Sequence, residues 1–217
     1  MSVAALQTAA QHAGLLTMGA LHLSAEAQTE TTSGTLVLLG TGRDFWPTFT
    51  AAPEYLDGKP HPIDRWSKRV IGALAKAFDG DCQFPSDGPP YPPFIAWALK
   101  SGRFFQSPVG MLVHDTVGLM ISMRGAVLIE DTLTLPSPPL SRSPCDTCAA
   151  PCTSACPVGA LSATNAYDVA ACHSFLDTPD GDACMSHGCH VRQICPLSNG
   201  AHRPAAQSAL HMKAFHP

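Results

Sequence analysis

Of the nine cysteines in this 217-residue chain, only Cys82 lies outside residues 145–195. Such crowding means cross-links hold that stretch, and the choice is between disulfides and metal. Disulfides belong to secreted chains, and residues 1–14 contain no Lys or Arg, whereas a secretory leader needs a basic start before its apolar run. Apolar stretches elsewhere are broken well before the ~18 residues a membrane span needs. The expectation is a soluble cytoplasmic protein whose cysteines bind metal. Hydrophobic residues make up 45% and charged residues 14%, enough for a core, and a net charge of −4 with a pI near 6.2 offers no footprint for DNA, RNA or an anionic membrane.

The cysteine spacing narrows the metal. Cys145, Cys148, Cys152 and Cys156 are separated by two, three and three residues, and Pro157-Val158-Gly159-Ala160 follows. A bacterial ferredoxin run has gaps of two, two and three and ends in Cys-Pro, so this run resembles it with one residue inserted. Closely spaced cysteines let one turn of backbone present several thiolates to a cube of iron and sulfide. The fourth cysteine of such a run serves the other cluster, which predicts a second partial motif, and Cys172, Cys184, Cys189 and Cys195-Pro196 supply one. The ferredoxin pattern therefore implies two [4Fe–4S] clusters, one on Cys145, Cys148, Cys152 and Cys195 and one on Cys156, Cys172, Cys184 and Cys189. Three alternatives stand beside it: zinc on Cys184, His187 and Cys189 or on the first four cysteines, a single cluster, and structural disulfides. His173, His187 and His190 are expected to hydrogen-bond or pack around the ligands, and Cys82 to be a buried small hydrophobe.

Upstream, Ser2 caps a helix through His12 that Gly14 ends. Strand-like runs at 15–23 and 35–40 flank a polar stretch, 24–33, read as a hairpin or exposed turn. Residues 45–56 are helical with breaks at Pro47 and Pro53. Residues 62–78 form an amphipathic helix, with Trp66, Val70 and Leu74 on one face, Arg65, Lys68, Arg69 and Lys76 on the rest, and Gly80 as its stop. Residues 84–93 are irregular, 94–100 helical, and 110–114 and 118–129 strands. A proline-rich linker, 133–144, divides the chain into residues 1–136 and 137–217. The fold class expected is α/β or α+β: a sheet-and-helix domain followed by a small ferredoxin-like module.

The stretch from Gly110 through His114, Gly118 and Arg124-Gly125 to Leu128, with His61-Pro62-Ile63-Asp64-Arg65-Trp66 and the strand at 35–39 before it, resembles the cobalamin-processing cblC-type proteins. Joined to a two-cluster module, it is also similar to epoxyqueuosine reductases and reductive dehalogenases, and the combined resemblance spans residues 35–200. It departs from the cblC pattern at Asp115, where that family has Pro, and at Met120 to Met123, where it has aromatics. The resemblance implies a nitroreductase-like first domain and a corrinoid (cobalamin) cofactor, with FMN the second choice. It implies His114 and Arg124 near the corrinoid or its phosphate and amide groups, with Tyr91 and Trp97 flooring the pocket. Read only as residues, His114 is equally a turn cap, Arg124 a sheet-edge ion pair, and Tyr91 and Trp97 core. The function implied is an oxidoreductase whose clusters pass electrons to cobalamin, acting on a corrinoid or small redox substrate and fed by a donor such as a ferredoxin or flavodoxin. A plain electron carrier and a nonenzymatic corrinoid chaperone are the alternatives.

Overall fold

Ser2 starts the first helix, α1 (Val3–His12), its hydroxyl accepting the Ala5 amide at 3.2 Å, and Val3, Leu6 and Ala10 form the buried face. The computed structural model describes residues 1–23 and 33–217; the turn expected at 24–33 lies, apart from Ser33, outside the described residues. These residues gather into two compact units, Met1–Arg103 with Ser122–Pro139, and Phe104–Ile121 with Leu140–Pro217. The last crossing falls inside the predicted linker. Residues 104–121, which the sequence groups with the first domain, belong to the cysteine-bearing unit.

In the first unit, β1 (Leu15–Leu23) pairs antiparallel with β2 (Gly34–Thr41), from Leu15 opposite Thr41 to Leu23 opposite Gly34. Every residue of β2 is buried, which its unbroken apolar run requires of a strand covered on both faces. The predicted helix at 45–56 is two pieces, α2 (Phe45–Thr50) and α3 (Pro53–Leu56), with Pro53 opening the second. α4 (Pro62–Ala77) packs on the sheet through Ile63, Trp66, Ser67, Ile71, Leu74 and Ala75. Its apolar stripe is wider than the predicted row: Ile71 is fully buried and Val70 only half-buried. Trp66 stands edge-on to Phe45 (5.2 Å) and Phe49 (6.0 Å), which centres the aromatic core under this helix. Arg69 clamps Glu54 of α3 (2.9 Å to Oε2), and that hydrogen bond holds the Glu54 carboxyl below its ordinary range.

β3 (Asp81–Gln83) follows α4, and α5 (Phe94–Lys100) occupies the residues predicted for it. Two strands of the second unit, β4 (Phe104–Gln106) and β5 (Leu112–His114), form an antiparallel hairpin. β6 (Met123–Ile129) returns to the first unit, where the sheet order is β1-β2-β6-β3 with all pairings antiparallel. The fold is thus α+β. The strand predicted at 118–129 starts only at Met123, because residues 118–121 remain with the second unit. Cys82, on β3 opposite Val127, is half-buried where full burial was expected.

The second unit has short helices: α6 (Val169–Leu176), α7 (Asp182–His187), α8 (His190–Ile194) and α9 (Ala205–Phe215). Its core joins Val109, Val113 and Leu119 of the hairpin region to Cys152, Leu161 and Val191. Ser198 locks this junction by accepting the Leu119 amide at 3.1 Å. Gly118, at φ +56, faces Ser198 so closely that an added Cβ would lie 2.5 Å from the Ser198 nitrogen. Gly118→Ala is therefore expected to destabilise this unit by about 1–3 kcal/mol, read as a lower urea midpoint at unchanged slope. A wild-type midpoint would show that the junction tolerates the methyl group. Among the described residues no helix is long and apolar enough to cross a membrane.

Candidate metal centre

The eight clustered cysteines divide by position into two quartets. Cys145, Cys148, Cys152 and Cys195 line one hollow, together with Ser107, Pro108, Val113 and Leu119. Cys156, Cys172, Cys184 and Cys189 line another, with Tyr167, Phe175, Leu176 and Val191 among its walls. Cys156 thus leaves the run it belongs to in sequence and joins the downstream cysteines, while Cys195 joins the first run. Local structure explains the exchange. Pro151–Thr153 is a single tight turn that buries Cys152 on the first hollow, and Cys156, after the turn, lines the second. Cys172 sits on α6, whose first turn Asp168 caps by accepting the Ala171 amide at 2.9 Å. Cys184 lies on α7, and Cys189 and Cys195 flank α8.

The electrostatics divide along the same line. Burial pushes the Cys145 and Cys152 thiols up; Cys148, Cys195 and Asp146 raise Cys145 further, and Cys195, Cys145 and Cys148 raise Cys152. Burial likewise raises Cys172 and Cys184, with Cys156 and Cys189 adding to both. Four thiolates around an apolar hollow repel one another and lack water, so a cationic centre is what such a donor set fits. Hydrogen bonds to sulfur are already present. The Ala150 amide donates to Cys148 Sγ at 3.4 Å, and hydrogen bonding from the His190 amide and the Tyr167 hydroxyl lowers Cys184 and Cys172 against the rise from burial. Burial, then that bond to Cys172, pushes the Tyr167 phenol up. Among the described residues no three His, Cys, Asp or Glu side chains are placed to hold a single metal ion.

The histidines serve the surroundings. His173 meets His216 (Nδ1 to Nδ1, 2.6 Å), which in turn reaches Asp177 at 3.0 Å, tying the end of the chain to α6. His187 pairs with the Ser186 hydroxyl at 2.8 Å.

The four residues proposed for a corrinoid are placed as follows. His114 lies in the second unit, fully buried, with Nδ1 accepting the Thr116 amide at 3.1 Å and its ring against Phe104, so it holds the turn after β5. Arg124, in the first unit, lines a cavity of about 210 Å³ with Asp64, Ser67, Lys68, Phe84 and Ser86. Its guanidinium stands 3.3 Å from Asp64; burial lowers its pKa and Asp64 counters this. Trp97 is packed in the core against Phe94, while Tyr91 is 65% exposed. The cavity beside Arg124 includes neither aromatic among its lining residues.

Sequence reading missed Ser107 and Tyr167 beside the sulfurs. Neither carries a spacing signal, because a single hydroxyl delivered by a distant turn leaves no periodicity; the only hint at Ser107 is the turn-forming Ser107-Pro108 before Gly110. No protein-family model matches the chain, and no curated protein matches it.

Proposed function

We propose that the second unit holds two [4Fe–4S] clusters, on Cys145, Cys148, Cys152 and Cys195 and on Cys156, Cys172, Cys184 and Cys189, and that the protein transfers single electrons. The observation that carries this is the exchange of Cys156 and Cys195 between the two runs, so that two complete four-thiol sets each surround their own hollow. A zinc ion draws its thiolates to within about 3.8 Å of one another, from Zn–S bonds of about 2.3 Å. Four thiols lining each hollow match the ligand count of a polynuclear cube. Clusters of this type supply one-electron chemistry. The chain's own part is to exclude water, keep the thiolates apart and hydrogen-bond the sulfurs.

The acceptor we propose is a redox cofactor of the first unit, a corrinoid before FMN, in keeping with the cblC resemblance. A nitroreductase-like form of the α+β sheet belongs to the same proposal. Lys68 and Arg124 would meet an anionic or amide edge of that cofactor. The second reading, a ferredoxin-like carrier with no corrinoid, is favoured by the size of the same cavity: about 210 Å³ lies below the ~300–1,000 Å³ that enclose a drug-sized ligand.

Iron and sulfide measured on anaerobically prepared protein should each come to about eight per chain. Zinc alone, or neither metal, would sink the cluster reading. Addition of cob(II)alamin or FMN, followed by visible spectroscopy, decides the acceptor: a saturable change with one of them identifies it, and no change with either leaves the plain carrier.

A further inference from the structure

We propose that the Ser107 hydroxyl donates a hydrogen bond to a sulfur of the cluster on Cys145, Cys148, Cys152 and Cys195 and raises its reduction potential; this rests on the two-cluster reading above. Ser107 is 6% exposed and lines the first hollow, and its Oγ has no hydrogen-bond partner among the described residues. Buried hydroxyls in native proteins are paired, so an orphan facing a ligand hollow points to the ligand.

The hairpin turn explains why no protein group answers it. The Ser107 amide donates to the Met111 carbonyl at 2.9 Å, and the Ser107 carbonyl accepts the Gly110 amide at 3.1 Å. Both backbone groups of Ser107 are thus used within the turn, and Pro108, which follows, has no N–H to offer. Among the described residues the hollow's other lining side chains are those of the four cysteines and apolar groups, so sulfur is the one side-chain partner they supply. In a dry wall of this kind a hydrogen bond to a charged acceptor is strengthened.

Reduction adds one electron, here from a titrant such as dithionite; no bond to the protein breaks and the proton stays on Oγ. The reduced state carries one more negative charge, so the donor stabilises it more than the oxidised state. Loss of the hydroxyl should then shift the balance between oxidised and reduced cluster about tenfold, which for a one-electron couple is about 59 mV toward lower potential.

The test is an anaerobic redox titration of wild type, Ser107→Ala and Ser107→Thr, with iron measured on each sample. The expected result is about eight iron atoms in all three, one centre lowered in Ser107→Ala, and wild-type potentials in Ser107→Thr. Iron falling to about four in Ser107→Ala alone would also support the bond. Unchanged potentials in fully loaded Ser107→Ala would overturn the proposal and leave the two-cluster reading standing. So would an equal shift, or equal loss of iron, in Ser107→Thr, since shape rather than the hydroxyl would then matter. Wild-type protein without iron would fail at the cluster reading itself and remove both.

Discussion

Serine at both Cys152 and Cys195 is expected to leave about four iron atoms per chain, no fewer than either change alone, whereas serine at both Cys152 and Cys156 leaves almost none. Cys152 and Cys195 line one hollow although 43 positions separate them, and Cys156 lines the other although it is four positions from Cys152. Losing two ligands of one cube costs that cube once; losing one ligand from each costs both. The measurement is iron content after anaerobic reconstitution, with the two single variants alongside. A pattern that followed sequence proximity, with the Cys152/Cys156 pair no worse than a single change, would show that the quartets are drawn wrongly.

On the two-cluster reading, stripping the metal should unfold the second unit. Its helices α6, α7 and α8 run to eight, six and five residues, well under the ~12–15 at which an isolated helix becomes even marginal in water. Cys152 is itself a buried member of a core cluster of this unit. The two hollows lie among these elements, so removing what fills them leaves desolvated thiols facing one another. Amide exchange in α6 to α9 should accelerate at least about a hundredfold after chelation, equivalent to ~3 kcal/mol of lost protection. Peptide-level hydrogen exchange reads this directly. Native protection of α6 to α9 in the metal-free protein would mean that the unit folds on side-chain packing alone.

Much of the first unit was legible where local chemistry decides structure. Ser2 and Gly14 bound α1, Pro62 opens α4, and the apolar runs of β1 and β2 stand within one residue of where alternation and β propensity put them. Three-residue strands were not legible: β3 and β4 are too short to show a period and exist because β6 and β5 lie beside them. The apolar run from Gly118 to Ile129 reads as one strand, yet the backbone at Gly118 is left-handed and residues 118–121 pack with Ser198 and its neighbours. Nothing local announces that change of allegiance. Which cysteines share a hollow follows the division that the ferredoxin-type spacing implies. The other lining residues were not legible, since tertiary structure alone brings Ser107 and Tyr167 to the hollows. His114, which the resemblance placed near a corrinoid and the residues alone read as a turn cap, accepts the Thr116 and Val117 amides in the turn after β5.

The order of the quartets along the chain also bears on biosynthesis. Cys195 comes after every member of the second quartet. A chain emerging from the ribosome has therefore delivered Cys156, Cys172, Cys184 and Cys189 while the first quartet still lacks a thiolate. At ~5–20 residues per second, Cys152 waits some 2–9 s for Cys195. Under the two-cluster reading, the cube nearest the start of the cysteine run is the last that can be closed. For those seconds three neighbouring thiols form an open site exposed to oxidation and to the wrong metal, and iron for that cube is of use only once Cys195 has arrived.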